Sequence, residues 1–415
     1  MGFQQGLSGL SSASKQLDVI GNNVANTSTV GFKESRAEFA DMYASNFYGV
    51  ASTQTGIGSR TAAVTQSITQ GNVTATGRSL DLAINNNGFF VVKQPASGTG
   101  QAGALLYTRN GQFQVDRDGY LVNGTDRLQG WMANNGVVTQ GPVSDLQLQT
   151  NLISPKETST VSMGVNLDSR LTSPTVSPLD PTNTNSFNWS NATTAYDSLG
   201  NSHDLTLYYV KGTATAAGTP WTVTAYVDGN ATGNSTTLNF DTSGNLITTP
   251  APTLSVSYTP ATANGSSSPI ALTVDYTGST QVAQGASTNT LTSDGYAAGS
   301  LKAINIDQTG IIQASFTNGQ TRTIGQVALA NFTNQQGLQS VGGNRWQESY
   351  ASGPVSFNAP GVGNAGTIQS SALEDSNVDL TAELVNMITA QRFYQANAQT
   401  IKTQDTLLQT LINLR

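Results

Sequence analysis

Two stretches carry the glycine spacing that can cradle a nucleotide pyrophosphate: Gly98, Gly100 and Gly103, and Gly361, Gly363 and Gly366. That chemistry needs a strand before the glycines and a helix after them, so that the helix N-terminus faces the phosphates. The first set lies between FFVVK and ALLYTR, two strand-like runs. The second follows Pro360 and leads into TIQSS. Both therefore read as hairpin or loop glycines. DRDG at Asp116 to Gly119 has the opening of a calcium loop but lacks the later acidic ligands, and reads as a simple turn. His203 is the only histidine and stands beside Asp204. Neighbours in a strand point to opposite faces, so this pair does not make a triad, and a packed or solvated histidine is expected. The chain has no cysteine, which removes thiolate nucleophiles, thiolate metal ligands and disulfides. No catalytic, cofactor or metal residues are assigned, and no enzyme activity is expected.

The charge balance narrows the partners. Only 10% of the 415 residues are charged and the net charge is -7, without a Lys/Arg-rich run. Nucleic acid needs a basic stripe, so no nucleic-acid partner is expected. No apolar run reaches the ~20 residues of a bilayer span, and MGFQQGLSGLSS has neither the basic start nor the apolar core of a cleaved signal. Gly, Ser, Thr and Asn replace the missing charge, a mixture suited to many short strands joined by turns.

Those residues are carried by three textures: a helical start, a long Thr/Gly/Asn-rich middle and a helical end. Leu7, Leu10, Leu17 and Val24 recur at alternating three- and four-residue spacings, the seam of a helix that packs on another helix, with Gly31 as a plausible stop. From Asp379 to Arg415 there is neither Gly nor Pro, and Leu380, Leu384, Met387, Tyr394, Ala398, Ile401, Leu408 and Ile412 form a second seam. Asp375, Ser376 and Asn377 are cap candidates before it. Between the helices, Phe89 to Val92, Leu205 to Val210 and Trp221 to Val227 read as strands. Asp-x-x-Gly recurs at Asp116, Asp197, Asp241 and Asp307, a turn signature. A Pro-rich stretch around Pro174, Pro178 and Pro181 and a loose one from Gly278 to Thr292 bound a domain inserted into another. The expected fold is α+β, mostly β: two β-rich domains, one inserted in the other, plus a coiled-coil-like pair of terminal helices. The eight seam residues near the C-terminus would bury at most about 12–24 kcal/mol. A lone hairpin of helices roughly 25 and 36 residues long cannot cover all of it, so the seams are expected to serve self-assembly into a helical polymer.

LSGLSSASKQLDVIGNNVANTSTVGFK (Leu7 to Lys33) and LEDSNVDLTAELVNMITAQRFYQANAQTIKTQDTLLQTLINL (Leu373 to Leu414) resemble the terminal motifs of flagellar rod and hook proteins. DLAINNNGFFVV (Asp81 to Val92) and YTRNGQFQVDRDGYLV (Tyr107 to Val122) are similar to the first core domain of that family. RLQGW (Arg127 to Trp131), YDSLGNSHDLTLYYVK (Tyr196 to Lys211) and ANFTNQQGLQSVGGNRWQES (Ala330 to Ser349) resemble hook proteins in particular. The resemblance implies a structural subunit of the flagellar hook, a curved tube that passes motor torque to the filament as a universal joint and encloses the export channel. It implies a terminal helical domain at 1–33 and 377–415 forming the inner tube, and linker regions at 34–71 and 364–376. A discontinuous β-rich core would occupy 72–147 and 293–363, with an inserted outer β domain at 148–292. Implied partners are further copies of itself, the distal rod and hook–filament junction proteins, the hook cap and the flagellar export apparatus. Export without a cleaved signal to an extracellular position at the basal body follows from the same resemblance. The alternatives are another axial subunit such as a distal rod protein and, from a different class, a secreted β-rich adhesin or binding module.

Overall fold

The computed structural model describes residues 2–42, 58–95, 103–148, 152–216, 218–259, 265–267 and 269–413. Gly98 and Gly100 lie outside the described residues, and Gly103 precedes the strand Leu105–Thr108. The chain divides into two compact units, one of Met1–Gln149, Ala303–Ala314 and Thr321–Arg415, the other of Thr150–Lys302 and Ser315–Gln320. The fold is α+β and mostly β, with the two long helices at the two ends of the sequence.

In the first unit, helix α1 (Gly2–Ala25) ends where Asn26 and Thr27 turn their side chains back onto the carbonyls of Asn22 and Val24. Such local bonds compete with helix continuation. Helix α2 (Leu380–Asn413) is capped by Asp379, whose Oδ1 accepts from the backbone N–H groups of Thr381 and Ala382. The caps expected at Asp375, Ser376 and Asn377 are displaced by up to four residues, because Asn377 is spent elsewhere, as described below. Along α2 the exposed hydroxyls of Thr389, Thr400, Thr403, Thr406 and Thr410 each donate to the carbonyl four residues earlier.

The stretch expected as a linker region carries a hairpin. Strand β1 (Ser35–Met42) pairs antiparallel with β2 (Gly58–Gln66), with a register shift at Glu38/Phe39. The hairpin sits beside α1, where Ser12 Oγ and Ser59 Oγ are 3.0 Å apart. Its charged and exposed positions hide the period-2 signal. The β body of this unit draws strands from both sides of the second unit's sequence. Phe89–Lys93 pairs with Leu105–Thr108 and Asp126–Asn134, and also with Leu329–Asn331 from the far side of the insertion. Phe89, Tyr107, Phe332 and Trp346 close its core through edge-to-face contacts, with Tyr107–Phe332 centroids at 4.8 Å. Such pairs add to area burial.

The second unit holds a four-stranded antiparallel sheet (Trp189–Tyr196, Ser202–Lys211, Thr219–Val227, Asn230–Phe240) and a five-stranded sheet centred on Thr160–Asp168. Alternation along Ser202–Lys211 points Leu205, Leu207 and Tyr209 inward, where they meet Trp221, Val223, Met163, Val274 and Tyr276. That alternation is what a sheet with one dry face requires.

The four Asp-x-x-Gly segments adopt one geometry. In each, the Asp carbonyl accepts from the Gly N–H, and Asp Oδ1 accepts from the N–H groups two and four residues on. The glycine has φ between +75° and +87°. Asp116 is therefore a turn former. The glycines at 361, 363 and 366 form a loop, closed by Gly361 N–H to Gly366 O, that enters the strand Thr367–Ser370 rather than a helix.

At Gly200, φ is +87° and a Cβ would lie 2.7 Å from Pro155 Cβ. Gly200→Ala is expected to lower stability by about 1–3 kcal/mol, read as a shift in urea midpoint by tryptophan fluorescence. A change below about 0.5 kcal/mol would mean that the turn does not need this backbone.

Candidate assembly interface

The two helices run antiparallel, and their line of closest approach is built from small residues. A Cβ on Gly6 would lie 3.0 Å from Ile401 Cγ1, and one on Gly9 would lie 2.6 Å from Asn397 Oδ1. Ala13, Ile20 and Ala390 continue the buried line, and Asn23 Nδ2 donates to Glu383 Oε2 (3.4 Å) at its other end. Positions 6, 9, 13, 20 and 23 of α1 keep the alternating three–four spacing, but one residue before the seam read from Leu7, Leu10, Leu17 and Val24. The reason is steric: glycine and alanine admit the neighbouring backbone, and the larger residues beside them are pushed to the flanks.

The larger residues accordingly stay open. Leu7 is 52% exposed, while Leu10, Leu17 and Val24 are half-buried. On α2, Leu380, Leu384, Tyr394, Leu408 and Ile412 are exposed, Ile412 at 73%, and Met387, Ala398 and Ile401 are half-buried. Of the expected seam residues, Ile401 lies against Gly6 of the other helix. Val385, Ile388, Phe393 and Leu407, off that seam, are exposed as well. With 24 residues against 34, α2 outruns α1 by about 15 Å at 1.5 Å per residue. Two apolar faces of α2 therefore have no cover within the described residues.

A charged node fixes where this helical pair leaves the β body. The Glu374 carboxylate, fully buried, receives Lys33 Nζ and the Gly71 N–H on Oε1 and Arg109 Nη1 (3.1 Å) on Oε2. Lys33 Nζ also donates to Thr69 O (2.7 Å), and Arg109 Nη2 to Asn86 O (2.8 Å). Burial pushes the Lys33 ammonium below its ordinary pKa, with the Glu374 carboxylate opposing the shift, and burial also lowers Arg109. Gly31, at φ +69°, brings its backbone so close to Arg109 that a Cβ would lie 2.7 Å from the Arg109 carbonyl carbon.

Two asparagines extend the node. Asn377 Oδ1 accepts from Glu34 N–H (2.7 Å) while its Nδ2 donates to Ser67 O (2.8 Å). Asn23 exchanges a pair of bonds with the Ser35 backbone. None of Asn23, Lys33, Arg109, Glu374 and Asn377 was among the expected site residues. The available signal was the rarity of charge in the chain as a whole, 10% of its residues, against which each of Lys33, Arg109 and Glu374 needs a reason.

A polar cleft of about 420 Å³, lined by Gln16, Ile20, Asn23, Glu34, Phe39 and Glu383 among others, lies between α1, β1 and the first turn of α2. His203 Nδ1 is 2.7 Å from Asp228 Oδ2 and Nε2 is 3.6 Å from Asp197 Oδ2, so the ring is packed between two carboxylates at the end of its hairpin. Asp204 turns away, its N–H donating to Asp228 Oδ1.

Burial, and next Glu383, raise the Glu34 carboxyl above its ordinary pKa. The ionised form is thus penalised in the folded state, fully above the folded pKa and not at all below the unfolded one. Glu34→Gln is expected to stabilise the chain at pH 7, with the difference vanishing below pH of about 4. Paired denaturation curves at the two pH values check this, and an equal difference at both would remove the charge explanation.

Profiles of known families match four stretches in order. "Flagella basal body rod protein" matches 3–33, "Flagellar hook protein FlgE/F/G D1 domain" 83–177, "Flagellar basal body protein FlaE D2 domain" 166–296, and "Flagellar basal body rod FlgEFG protein C-terminal" 369–414. The flagellar hook protein FlgE of Escherichia coli K12 is 40% identical over 425 aligned positions spanning all of both chains. That of Salmonella typhimurium LT2 is 39% identical over the same span. That of Borreliella burgdorferi B31 is 34% identical over 99% of this chain and 98% of its own. The crystal structure of Helicobacter pylori flagellar hook protein FlgE2 shares the fold over 72% of this chain and all of its own, with a TM-score of 0.54 at 15% identity. With end-to-end similarity at this level, and with the helical ends, divided β body and inserted sheet unit all accounted for, the chain belongs to the flagellar hook protein family.

Proposed function

We propose that this chain is a structural subunit of the flagellar hook, polymerising into a curved tube that transmits torque and encloses an export channel. The observation that carries the reading is the pair of uncovered apolar faces on α2, which one shorter helix cannot shield. A repeated, non-closing contact between such faces builds a filament. The role is mechanical rather than catalytic.

In this reading, 1–33 and 377–415 form the inner tube and 34–71 with 364–376 join it to the outer layers. The divided core, 72–147 with 293–363, and the inserted domain, 148–292, form outer shells. The seam residues Leu7, Leu10, Leu17, Val24, Leu380, Leu384, Met387, Tyr394, Ala398, Ile401, Leu408 and Ile412 contact neighbouring copies. The distal rod, the hook–filament junction proteins, the hook cap and the export apparatus are its further partners, and its place is outside the cell at the basal body. Similarity across the inserted unit favours the hook over a distal rod protein, and the helical ends favour it over a secreted β-rich binding module.

Electron microscopy of the full chain beside a chain lacking Leu380–Arg415 tests the reading. Short tubes from the first and monomers from the second are expected. The substitutions Ile388→Asp and Phe393→Asp, together in the full chain, are expected to abolish tubes at concentrations where the parent assembles, with the β units unchanged by circular dichroism. Tubes that persist in the truncated chain would move assembly away from the helices.

A further inference from the structure

The charged node joins three stretches far apart in sequence. Lys33 follows α1, Arg109 belongs to the β body, and Glu374 precedes α2. All three side chains are at most 2% exposed. If only the N-terminal stretch were seated, Lys33 and Arg109 would both be buried without a counter-charge. If only the C-terminal stretch were seated, Glu374 would lose one cation, and Asn377 would lose the Glu34 and Ser67 backbone groups. Removing one member of a buried charge set leaves the remaining charge buried and uncompensated, which is strongly destabilising.

We propose that Glu374, with Lys33 and Arg109, is a positioning residue that makes the seating of the two terminal segments on the β body a single event. The half-seated forms are those that strand a buried charge, so they are scarcely populated. Both helices then leave the body at a fixed place together, or neither does.

Amide exchange on full-length chains tests it. Ala372 and Asp375 N–H, bonded to Asp81 O and Asn72 O, report on the C-terminal segment. Ser35 and Ser67 N–H, bonded to Asn23 Oδ1 and Glu34 O, report on the N-terminal one. Lys33→Met changes a residue of the N-terminal stretch and leaves Glu374 one cation short, and exchange at Ala372 and Asp375, beyond Glu374 itself, is expected to rise about 100-fold. Glu374→Gln is expected to do the same at Ser35 and Ser67. The double variant is expected to show less than the product of the two single effects, because the second change removes a charge already stranded. Acceleration confined to the mutated side, or a double variant equal to the product, would mean that the segments seat independently. Loss of protection at Leu207 and Val223 in either variant, including failure to fold, would also overturn the proposal, since the node would then support the whole chain.

Discussion

The carboxylate of Glu374 is out of reach of water, and a group of that kind is tolerable only with excellent geometry and every lone pair answered. Much of the first unit follows from meeting that demand. Gly31 has no side chain, so the chain after α1 can cross Arg109 closely enough to deliver Lys33. Gly71 lends a backbone N–H, Asn86 and Thr69 supply carbonyls to the two cations, and the Glu374 backbone oxygen accepts from Gly31. The hairpin β1–β2 is anchored beside the node by Asn23 and Asn377. Shifting the node would shift the exit point of both helices.

The two units handle apolar surface in opposite ways. The second unit is closed, its facing sheets burying Trp221, Tyr209 and Tyr276 completely. Replacing Trp221 by alanine would cost about 3–5 kcal/mol on transfer and cavity grounds, stability that owes nothing to any partner. The helices are open. Their mutual contact is a narrow line around Gly6, Gly9, Ala13, Ile20 and Ala390, and Leu7, Leu380, Leu384, Leu408 and Ile412 remain exposed. Order at the helical ends is therefore linked by mass action to whatever covers those side chains, whereas order in the β units is not.

Much of the fold was legible from sequence because its signals were local. An uninterrupted α2, the strands at Leu205 and Trp221, and the four Asp-x-x-Gly turns each follow from residues a few positions apart. The features that were missed are long-range or small. The helix line at Gly6, Gly9 and Ala13 is invisible to a search for large apolar residues. Asp379 rather than Asn377 caps α2 because Asn377 is already committed to Glu34 and Ser67, which the sequence cannot reveal. The node needed three residues 76 and 265 positions apart to be recognised as neighbours, and only the scarcity of charge hinted at it. The hairpin β1–β2 was hidden because its solvent-facing positions blur the alternation that marks a strand.

The threonines of α2 have a further consequence. Thr389, Thr400, Thr403, Thr406 and Thr410 fall on one side of the helix at about 100° per residue, and each has already given its proton to its own backbone. What they present outward is methyl groups and lone pairs. Two such stripes laid face to face would have no proton to exchange, so water would have to occupy the gap and supply every bond. That seam would be wet, and its two sides could slip past each other while trading one water for the next.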